Sequence, residues 1–195
     1  MVAPQPLKPA VLWFTGLSGA GKTTIAREVR DRLLGNGARV EYLDGDVIRG
    51  VFPETGFTRP EREAHVRRVG FLASRLEHHG VFVICALISP YADSRDYARR
   101  LCRRFVEIHV CTPLAECERR DVKGLYRRAR LGEIGNFTGI HDPYEPPDAP
   151  ELRIDTSEIS VQDAADRVMM ALCVDDDALT PMRSATPVGQ SATNV

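Results

Sequence analysis

The glycine-rich stretch GLSGAGKTT, residues 16–24, constrains the fold of this chain more than any other part of its sequence. Residues 16–23 match the pattern G-x-x-x-x-G-K-[ST] in full, with an apolar run before them and a helical pattern after them. Glycines let a backbone turn so that several N–H groups point at one phosphate, and the N-terminus of the following helix adds partial positive charge. The stretch therefore predicts a strand, a phosphate-binding loop and a helix.

This predicted phosphate loop indicates a nucleoside triphosphate as ligand. We expect Lys22 to reach the terminal phosphates and the Thr23 hydroxyl to hold Mg²⁺. The predicted nucleotide-binding residues are Gly16, Leu17, Ser18, Gly19, Ala20, Gly21, Lys22, Thr23 and Thr24. Many unrelated proteins carry such a loop, so it does not identify the group that receives the phosphate.

Apolar runs alternate with helical patterns along the rest of the chain. The predicted strands are 11–15, 39–44, 81–88, 105–110 and 152–156. One predicted helix follows the phosphate loop to Gly35, a second begins at the capping box formed by Thr58 and Glu61, and a third covers roughly 160–173. This alternation predicts an α/β fold of the P-loop NTPase type, a doubly wound parallel sheet of about five strands with helices on both faces.

Composition narrows the class of protein. The chain has 195 residues, 43% of them hydrophobic, and a net charge of −1, which suits one globular domain and argues against a nucleic-acid binder. The five cysteines form no CxxC pair, so we expect free thiols in a reducing compartment. The N-terminus has no signal-peptide core, and no apolar run approaches the length of a membrane span. We expect a cytoplasmic protein without a membrane partner.

The predicted domain covers residues 10–174. Residues 1–9 hold three prolines and are expected to form a flexible lead-in, and the aperiodic tail 175–195 is expected to be disordered. Inside the domain, residues 121–147 are rich in Arg and Gly and end in prolines. A long segment of this composition between two strands is typical of a lid or a binding loop.

Two further stretches carry candidate side chains for the acceptor of the phosphate. In LDGDVIRG, residues 43–50, Asp44 and Asp46 follow a predicted strand, where ligands of open α/β sheets bind. One carboxylate could hold a Mg²⁺ water and the other could accept a hydroxyl proton, while Arg49 could bind an anion. The alternative is an Asp-Gly turn with solvated charges.

The second stretch is GFTRPEREAHVRRVG, residues 56–70. It places Phe57 in a loop before a predicted helix, with Arg62 and His65 three residues apart on one helix face. A ring beside an arginine suits a planar group that carries phosphate. The alternative is that Phe57 belongs to the core and the arginines form a solvated helix face.

Taken together, the motifs resemble the adenylylsulfate kinase (APS kinase) family. They are, in order, GLSGAGKTT, DGD-x-x-R, GF-x-x-x-x-R, ISPY, DVKGLY-x-x-AR-x-GEI-x-x-FTGI and DPYEPP, and the resemblance covers about residues 10 to 172. It implies an ATP- and Mg²⁺-dependent kinase that phosphorylates the 3′-hydroxyl of adenosine 5′-phosphosulfate (APS) to give PAPS. It also implies a homodimer.

The resemblance assigns roles residue by residue. Asp46 matches the candidate base, and Asp44 lies beside the metal together with Thr23, although either aspartate could be the base. Ser89 matches a serine described in the family as a phosphorylated intermediate, but before Pro90 it could instead cap the next helix. The implied acceptor-binding residues are Asp44, Asp46, Arg49, Phe57, Arg62, His65, Ile88, Ser89, Lys123, Leu125, Phe137, Gly139 and Ile140. Phe57 and Phe137 are expected to sandwich the adenine of APS.

The sequence departs from the family pattern at two places. His65 stands where the family has an asparagine, and Arg127-Arg128 stands where it has Lys-Lys. An amide offers a donor and an acceptor at once, whereas an imidazole offers them in a different geometry. A related kinase with another nucleotide or a phosphorylated metabolite as acceptor therefore stays open, as does a non-catalytic nucleotide-binding module. Nothing in the sequence resembles a sulfurylase domain.

Overall fold

A computed structural model describes residues 7–52 and 55–173 of the chain. Most of the predicted lead-in and all of the predicted tail 175–195 lie outside the described residues. The strands are β1 (Val11–Thr15), β2 (Val40–Asp44), β3 (Phe82–Ala86), β4 (Phe105–Val110) and β5 (Leu152–Ile154). The helices are α1 (Lys22–Gly35), α2 (Gly45–Val51), α3 (Arg59–His78), α4 (Ala92–Leu101), α5 (Leu114–Arg120), α6 (Leu125–Arg130) and α7 (Val161–Cys173).

The five strands form one parallel sheet in the order β2-β3-β1-β4-β5. The central strand β1 pairs with β3 on one side and with β4 on the other. The carboxyl ends of all five strands therefore meet at one edge of the sheet, the edge at which ligands of such folds bind. This architecture confirms the predicted fold class.

Alternating side chains of β1 supply two separate cores, which confirms that helices cover both faces of the sheet. Leu12 and Phe14 point into the core shared with α1 and α7. Val11 and Trp13 point into the core shared with α3 and α4. Because successive strand residues face opposite sides, an unbroken apolar run such as VLWFT is what a strand covered on both faces requires.

The predicted capping box begins α3 as expected. The Glu61 carboxylate accepts a hydrogen bond from the backbone N–H of Thr58 at 2.9 Å, and Pro60 lies in the first turn. Further along, Gly70 allows α3 to approach α4 closely, because a Cβ at that position would lie 2.6 Å from the Cβ of Ala98. This contact fixes α3, whose first turns border the site described below.

No bounds were predicted for four short helices, α2, α4, α5 and α6. Helices α2, α5 and α6 have at most seven residues, and α2 buries no side chain, so these three present too little apolar periodicity to be recognised. Helix α4 was expected only as a helix after Pro90. Helix α6 occupies part of the predicted lid, 121–147. The strand predicted at 81–88 ends earlier, at Ala86, because the chain leaves the sheet there.

All five cysteines are free, with Cys85 and Cys117 buried and Cys173 exposed. In the described ranges, no helix combines the length and the apolar character needed to cross a bilayer.

Candidate active site

The candidate site is a cleft of about 1100 Å³ at the carboxyl edge of the sheet. Its walls are the phosphate loop, α2, the first turns of α3, the residues after β3, and the segment from α5 to residue 138. The predicted residues that line it are Ser18, Gly19, Gly21, Lys22, Thr23, Thr24, Asp44, Asp46, Arg49, Phe57, Arg62, His65, Ile88, Ser89, Lys123, Leu125 and Phe137. Folding thus brings residues from six separate stretches of the sequence to one cavity.

Five predicted residues do not line the cleft. Gly16 and Ala20 support the phosphate loop from within, since a Cβ on Gly16 would lie 2.3 Å from the Val110 carbonyl oxygen and Ala20 is fully buried. Leu17, Gly139 and Ile140 border a separate, open depression. Gly139 adopts a φ of +91° and packs against the side chain of Leu17. The prediction that Gly139 and Ile140 contact the acceptor therefore finds no support in their placement.

Lys22 is held by the loop that precedes it. Its Nζ donates hydrogen bonds to the carbonyl oxygens of Gly16 at 2.9 Å and Leu17 at 2.7 Å, and the residue is only 9% exposed. Burial lowers the pKa of this ammonium to about 8, so it is still mainly protonated at pH 7. A buried cation with only carbonyl partners is ready to bind a phosphate anion, which offers a full opposite charge.

Asp44 ends β2 and caps α2. Its Oδ1 accepts hydrogen bonds from the backbone N–H groups of Asp46 at 2.8 Å and Val47 at 3.4 Å. Its Oδ2 lies 3.4 Å from the Tyr42 hydroxyl, which in turn interacts with the side chain of Thr23. Carboxylate and hydroxyl oxygens thus face each other between the phosphate loop and α2.

Asp46 lines the cleft from α2 and pairs with Lys123 of the predicted lid. Its Oδ2 lies 2.6 Å from Lys123 Nζ, and the two side chains are 74% and 62% exposed. An ion pair this exposed contributes little free energy, so either partner can be exchanged for a ligand at small cost. The turn in the alternative of an Asp-Gly turn with solvated charges is wrong, because Asp44 caps α2 and Asp46 lies in its first turn, but the charge of Asp46 is solvated as that alternative expected.

Phe57 is exposed and flanked by two guanidinium groups. Its ring centroid lies 4.6 Å from Cζ of Arg49 and 5.4 Å from Cζ of Arg62, and the residue is 55% exposed, so the alternative that it belongs to the core is wrong. Arg62 is buried rather than solvated. It donates from Nε to the Phe57 carbonyl at 2.7 Å and from Nη2 to the Asn136 carbonyl.

These Arg62 hydrogen bonds bring the two predicted aromatic walls to the same cleft. Phe137 follows Asn136 and packs edge-on against Tyr126, with ring centroids 4.9 Å apart. Phe57 lies at the other end of the Arg62 bridge. Their sandwiching of a planar base stays a prediction.

His65 is the most unusual group in the cleft. It is only 2% exposed, and in the described part of the chain neither Nδ1 nor Nε2 has a hydrogen-bond partner of normal geometry, although the backbone of Gly45 approaches the ring. Burial first, and then the positive charge of Arg49, lower the pKa of this imidazole to about 4. His65 is therefore neutral at pH 7, with a donor and an acceptor unused.

Ser89 is buried, with 2% of the residue exposed, and does not cap a helix. Helix α4 begins at Ala92 with Tyr91 at its N-cap, so the capping alternative is wrong. Its hydroxyl instead bonds to side chains of β1.

Arg120 borders the cleft but was not predicted from the sequence. It donates to the hydroxyl of Thr156 at 2.7 Å, and that hydroxyl donates to the carbonyl of Ala20 in the phosphate loop at 2.9 Å. Thr156 follows β5 at the same edge of the sheet as the phosphate loop. This position after a strand is the sequence signal that could have identified Thr156 as a neighbour of the site.

A family model described as adenylylsulphate kinase matches residues 8–155. The adenylyl-sulfate kinase of Halothermothrix orenii is 48% identical over 163 residues, covering 83% of this chain and 88% of the relative. That of a Synechococcus strain is 51% identical over 162 residues, covering 83% of this chain and 92% of the relative.

A solved structure is similar over nearly the same range. The APS kinase CysC of Mycobacterium tuberculosis, determined in complex with AMPPNP and APS, has a TM-score of 0.81 and 40% sequence identity. The match covers 86% of this chain and 99% of that one.

Proposed function

This chain belongs to the adenylylsulphate kinase family, and from that premise we propose how its cleft catalyses the family's reaction. The enzyme transfers a phosphoryl group from ATP to APS and releases ADP and PAPS. The observation that carries the assignment is the meeting, in one cleft, of a complete phosphate loop with Asp46, Arg49, Phe57, Arg62 and Lys123. A non-catalytic module would not need the acidic residues at that place.

The phosphate loop would bind ATP at one end of the cleft. The positive-φ glycines Gly19 and Gly21 would let backbone N–H groups turn towards the phosphates, and α1, which begins at Lys22, would present its N-terminus to them. Lys22 would exchange the carbonyls of Gly16 and Leu17 for oxygens of the β- and γ-phosphates. The γ-phosphoryl group would then point along the cleft towards Asp46.

The other end of the cleft would hold APS. Phe57, already flanked by Arg49 and Arg62, offers an aromatic face for the adenine, and the arginines and Lys123 offer charge for the anionic end. Binding of that anion would draw Lys123 away from Asp46. The carboxylate of Asp46 would thereby become available beside the acceptor hydroxyl.

Asp46 would then act as the general base. Its carboxylate takes the proton of the 3′-hydroxyl as the oxygen bonds to the γ-phosphorus, and the bond to the bridging oxygen of ADP breaks. Lys22 remains close to the phosphates and stabilises the charge that moves to ADP. This role of Asp46 and the acceptor contacts above are proposals.

The residues between the phosphate loop and α2 suit a Mg²⁺ ion. Thr23 offers a hydroxyl and Asp44 a carboxylate with Oδ2 free of backbone hydrogen bonds, and hard oxygen ligands combined with phosphates and waters are what Mg²⁺ prefers. When bound, the ion would neutralise charge on the phosphates. Asp44 would also keep α2 capped, and so keep Asp46 in place.

An acceptor screen tests the function. The chain is supplied with ATP, Mg²⁺ and, separately, APS, AMP, other nucleotides or small phosphorylated alcohols, and ADP release is measured against a sample without acceptor. We expect APS to be the best acceptor. If another compound is used more than about tenfold better, a difference of about 1.4 kcal/mol in transition-state binding, the acceptor assignment is wrong and the alternative kinase is favoured. The homodimer implied by the family stays a prediction that sedimentation can test.

A further inference from the structure

We infer that Thr15, Ser89 and Tyr144 form a hydroxyl junction that positions the acceptor loop, residues 87–91 after β3, relative to the phosphate loop, and that Ser89 acts there as a positioning residue. The inference rests on the proposed function, because it concerns the same reaction. It is carried by the hydrogen-bonding capacity of three hydroxyl groups, of which those of Thr15 and Ser89 are buried and that of Tyr144 is partly buried.

The Thr15 hydroxyl is saturated. A hydroxyl has one proton to donate and two lone pairs to accept with. Thr15 donates to the carbonyl of Ile88 at 2.8 Å, accepts from the Ser89 hydroxyl at 2.9 Å and lies 3.0 Å from the Tyr144 hydroxyl. Because its single proton is used for Ile88, the Tyr144 hydroxyl must be the donor in the third bond. Burial raises the pKa of Tyr144 to about 12, so it keeps the proton this bond needs.

The Ser89 hydroxyl also uses its only proton in a hydrogen bond. It donates its proton to Thr15 and accepts from the indole Nε1–H of Trp13 at 3.1 Å. A serine becomes a nucleophile when a base takes its proton, and neither of these partners is a base. A phosphoryl group on Oγ would replace the proton donated to Thr15 and bring negative charge into a residue that is only 2% exposed.

The backbone around Ser89 is held from the opposite side. Arg95, itself 3% exposed, donates to the Ser89 carbonyl at 2.7 Å and to the Glu145 carbonyl at 2.7 Å, and pairs with Glu107 at 2.9 Å. Ser89 adopts a φ of +39°, a conformation that a non-glycine residue keeps only when its surroundings enforce it. The Arg95 bonds and the hydroxyl bonds together enforce it.

The junction joins three segments of the chain, of which Ile88 and Ser89 line the cleft and Tyr144 borders the separate depression. Thr15 directly precedes Gly16 of the phosphate loop, Ile88 and Ser89 belong to the acceptor loop, and Tyr144 lies in the segment that ends the predicted lid. The pairs are 74 and 129 residues apart in sequence. A shift of one segment must therefore displace the other two or break a buried hydrogen bond, which costs free energy.

Three variants and a matched control test the junction. Ser89→Ala, Tyr144→Phe and Thr15→Val remove hydroxyl groups, whereas Thr15→Ser keeps the hydroxyl that makes all three bonds. We expect Ser89→Ala and Tyr144→Phe each to lower kcat/KM for APS by about 2- to 12-fold, mainly through a higher KM for APS, with KM for ATP unchanged. Thr15→Ser should be near normal.

The activity of a double variant and the labelling of the protein by radioactive phosphate test the inference most directly. The double variant Thr15→Val plus Ser89→Ala should lose less kcat/KM than the product of the two single losses, because both changes remove the Ser89–Thr15 bond. With γ-³²P-ATP, native protein should carry no label. Label on Ser89, a loss above about 10⁴-fold in Ser89→Ala, or losses that multiply in the double variant would each overturn the inference.

The same samples separate this inference from the function. If native protein does not use APS, the proposed function fails. The junction is then judged by hydrogen exchange of residues 88–91 in Tyr144→Phe and Thr15→Val without acceptor. Faster exchange than in Thr15→Ser supports the junction, and equal exchange refutes it.

Discussion

Replacing His65 by leucine should raise the free energy of unfolding of the ligand-free enzyme and lower its affinity for the acceptor. In the described structure the imidazole is buried with both nitrogens unpartnered. A buried polar group without hydrogen bonds costs about 1–3 kcal/mol, and leucine removes that cost at similar volume. We therefore expect His65→Leu to raise the free energy of unfolding at pH 7.5 by an amount in that range.

The stability gain of His65→Leu over the wild type should grow as the pH falls, because the fold lowers the pKa of His65. The folded state holds the pKa of His65 at about 4, below the value of about 6.5 expected in the unfolded chain. Between these values the unfolded state binds more protons, so the wild type loses stability as the pH falls. At pH 5 that loss from His65 amounts to about 2 kcal/mol, and the leucine variant escapes it.

Urea unfolding at several pH values measures both effects. His109 is a necessary control, because its pKa is also lowered to about 4, by burial and then by Arg153. Its contribution is present in wild type and variant alike and cancels in their difference. If the difference between His65→Leu and wild type is the same at pH 7.5 and pH 5, His65 is not held neutral and the reasoning is refuted. In the kinetic assay His65→Leu should raise KM for APS, whereas His65→Asn should keep turnover within about an order of magnitude.

Four further outcomes are expected. Lys22→Ala should abolish ADP release while leaving the circular dichroism spectrum unchanged, and a near-normal rate would contradict the phosphate-loop role. Asp46→Asn should lower kcat by about 10²–10⁴-fold with little change in ATP binding, since the amide cannot take a proton; a loss below about tenfold would move the base to Asp44. Lys123→Met should change the free energy of unfolding by less than about 0.5 kcal/mol, because its pair with Asp46 is exposed, yet it should raise KM for APS. The segment 121–147 should exchange amide hydrogens faster without ligands than with ADP and APS, and equal protection would argue against a lid.

Much of the fold was predictable because its signals are local. The phosphate-loop pattern contains its own strand, turn and helix, and a glycine at positive φ or a Thr58–Glu61 capping box depends on neighbours within a few residues. The apolar runs of the strands carry the same information, because a parallel sheet covered on both faces needs side chains that are apolar on both sides. Family motifs in the sequence were enough to indicate a kinase of this kind.

The short helices and the details of the site were not predictable in this way. Helices α2 and α6 are stabilised where they lie by tertiary contacts, such as the Tyr126 hydroxyl bond to the Ser18 carbonyl at 2.9 Å, and not by periodicity of their own. The sequence predicts Gly139 and Ile140 beside the acceptor, and in the ligand-free fold they border a depression next to the cleft together with Leu17. Their position depends on how a loop closes, which residue types alone do not specify.

The sequence by itself thus determined the parallel α/β scaffold and the kinds of groups that gather at its carboxyl edge. Only the tertiary structure decided how those groups are partnered: Asp46 with Lys123, Ser89 with Thr15 across 74 residues of chain, and His65 with no hydrogen bond of normal geometry among the described residues. The physical reason is that burial and hydrogen-bond saturation depend on every segment that packs around an atom. From the sequence, Ser89 could be a nucleophile. In the folded chain its one proton is donated to Thr15, so its hydroxyl positions the neighbouring segments.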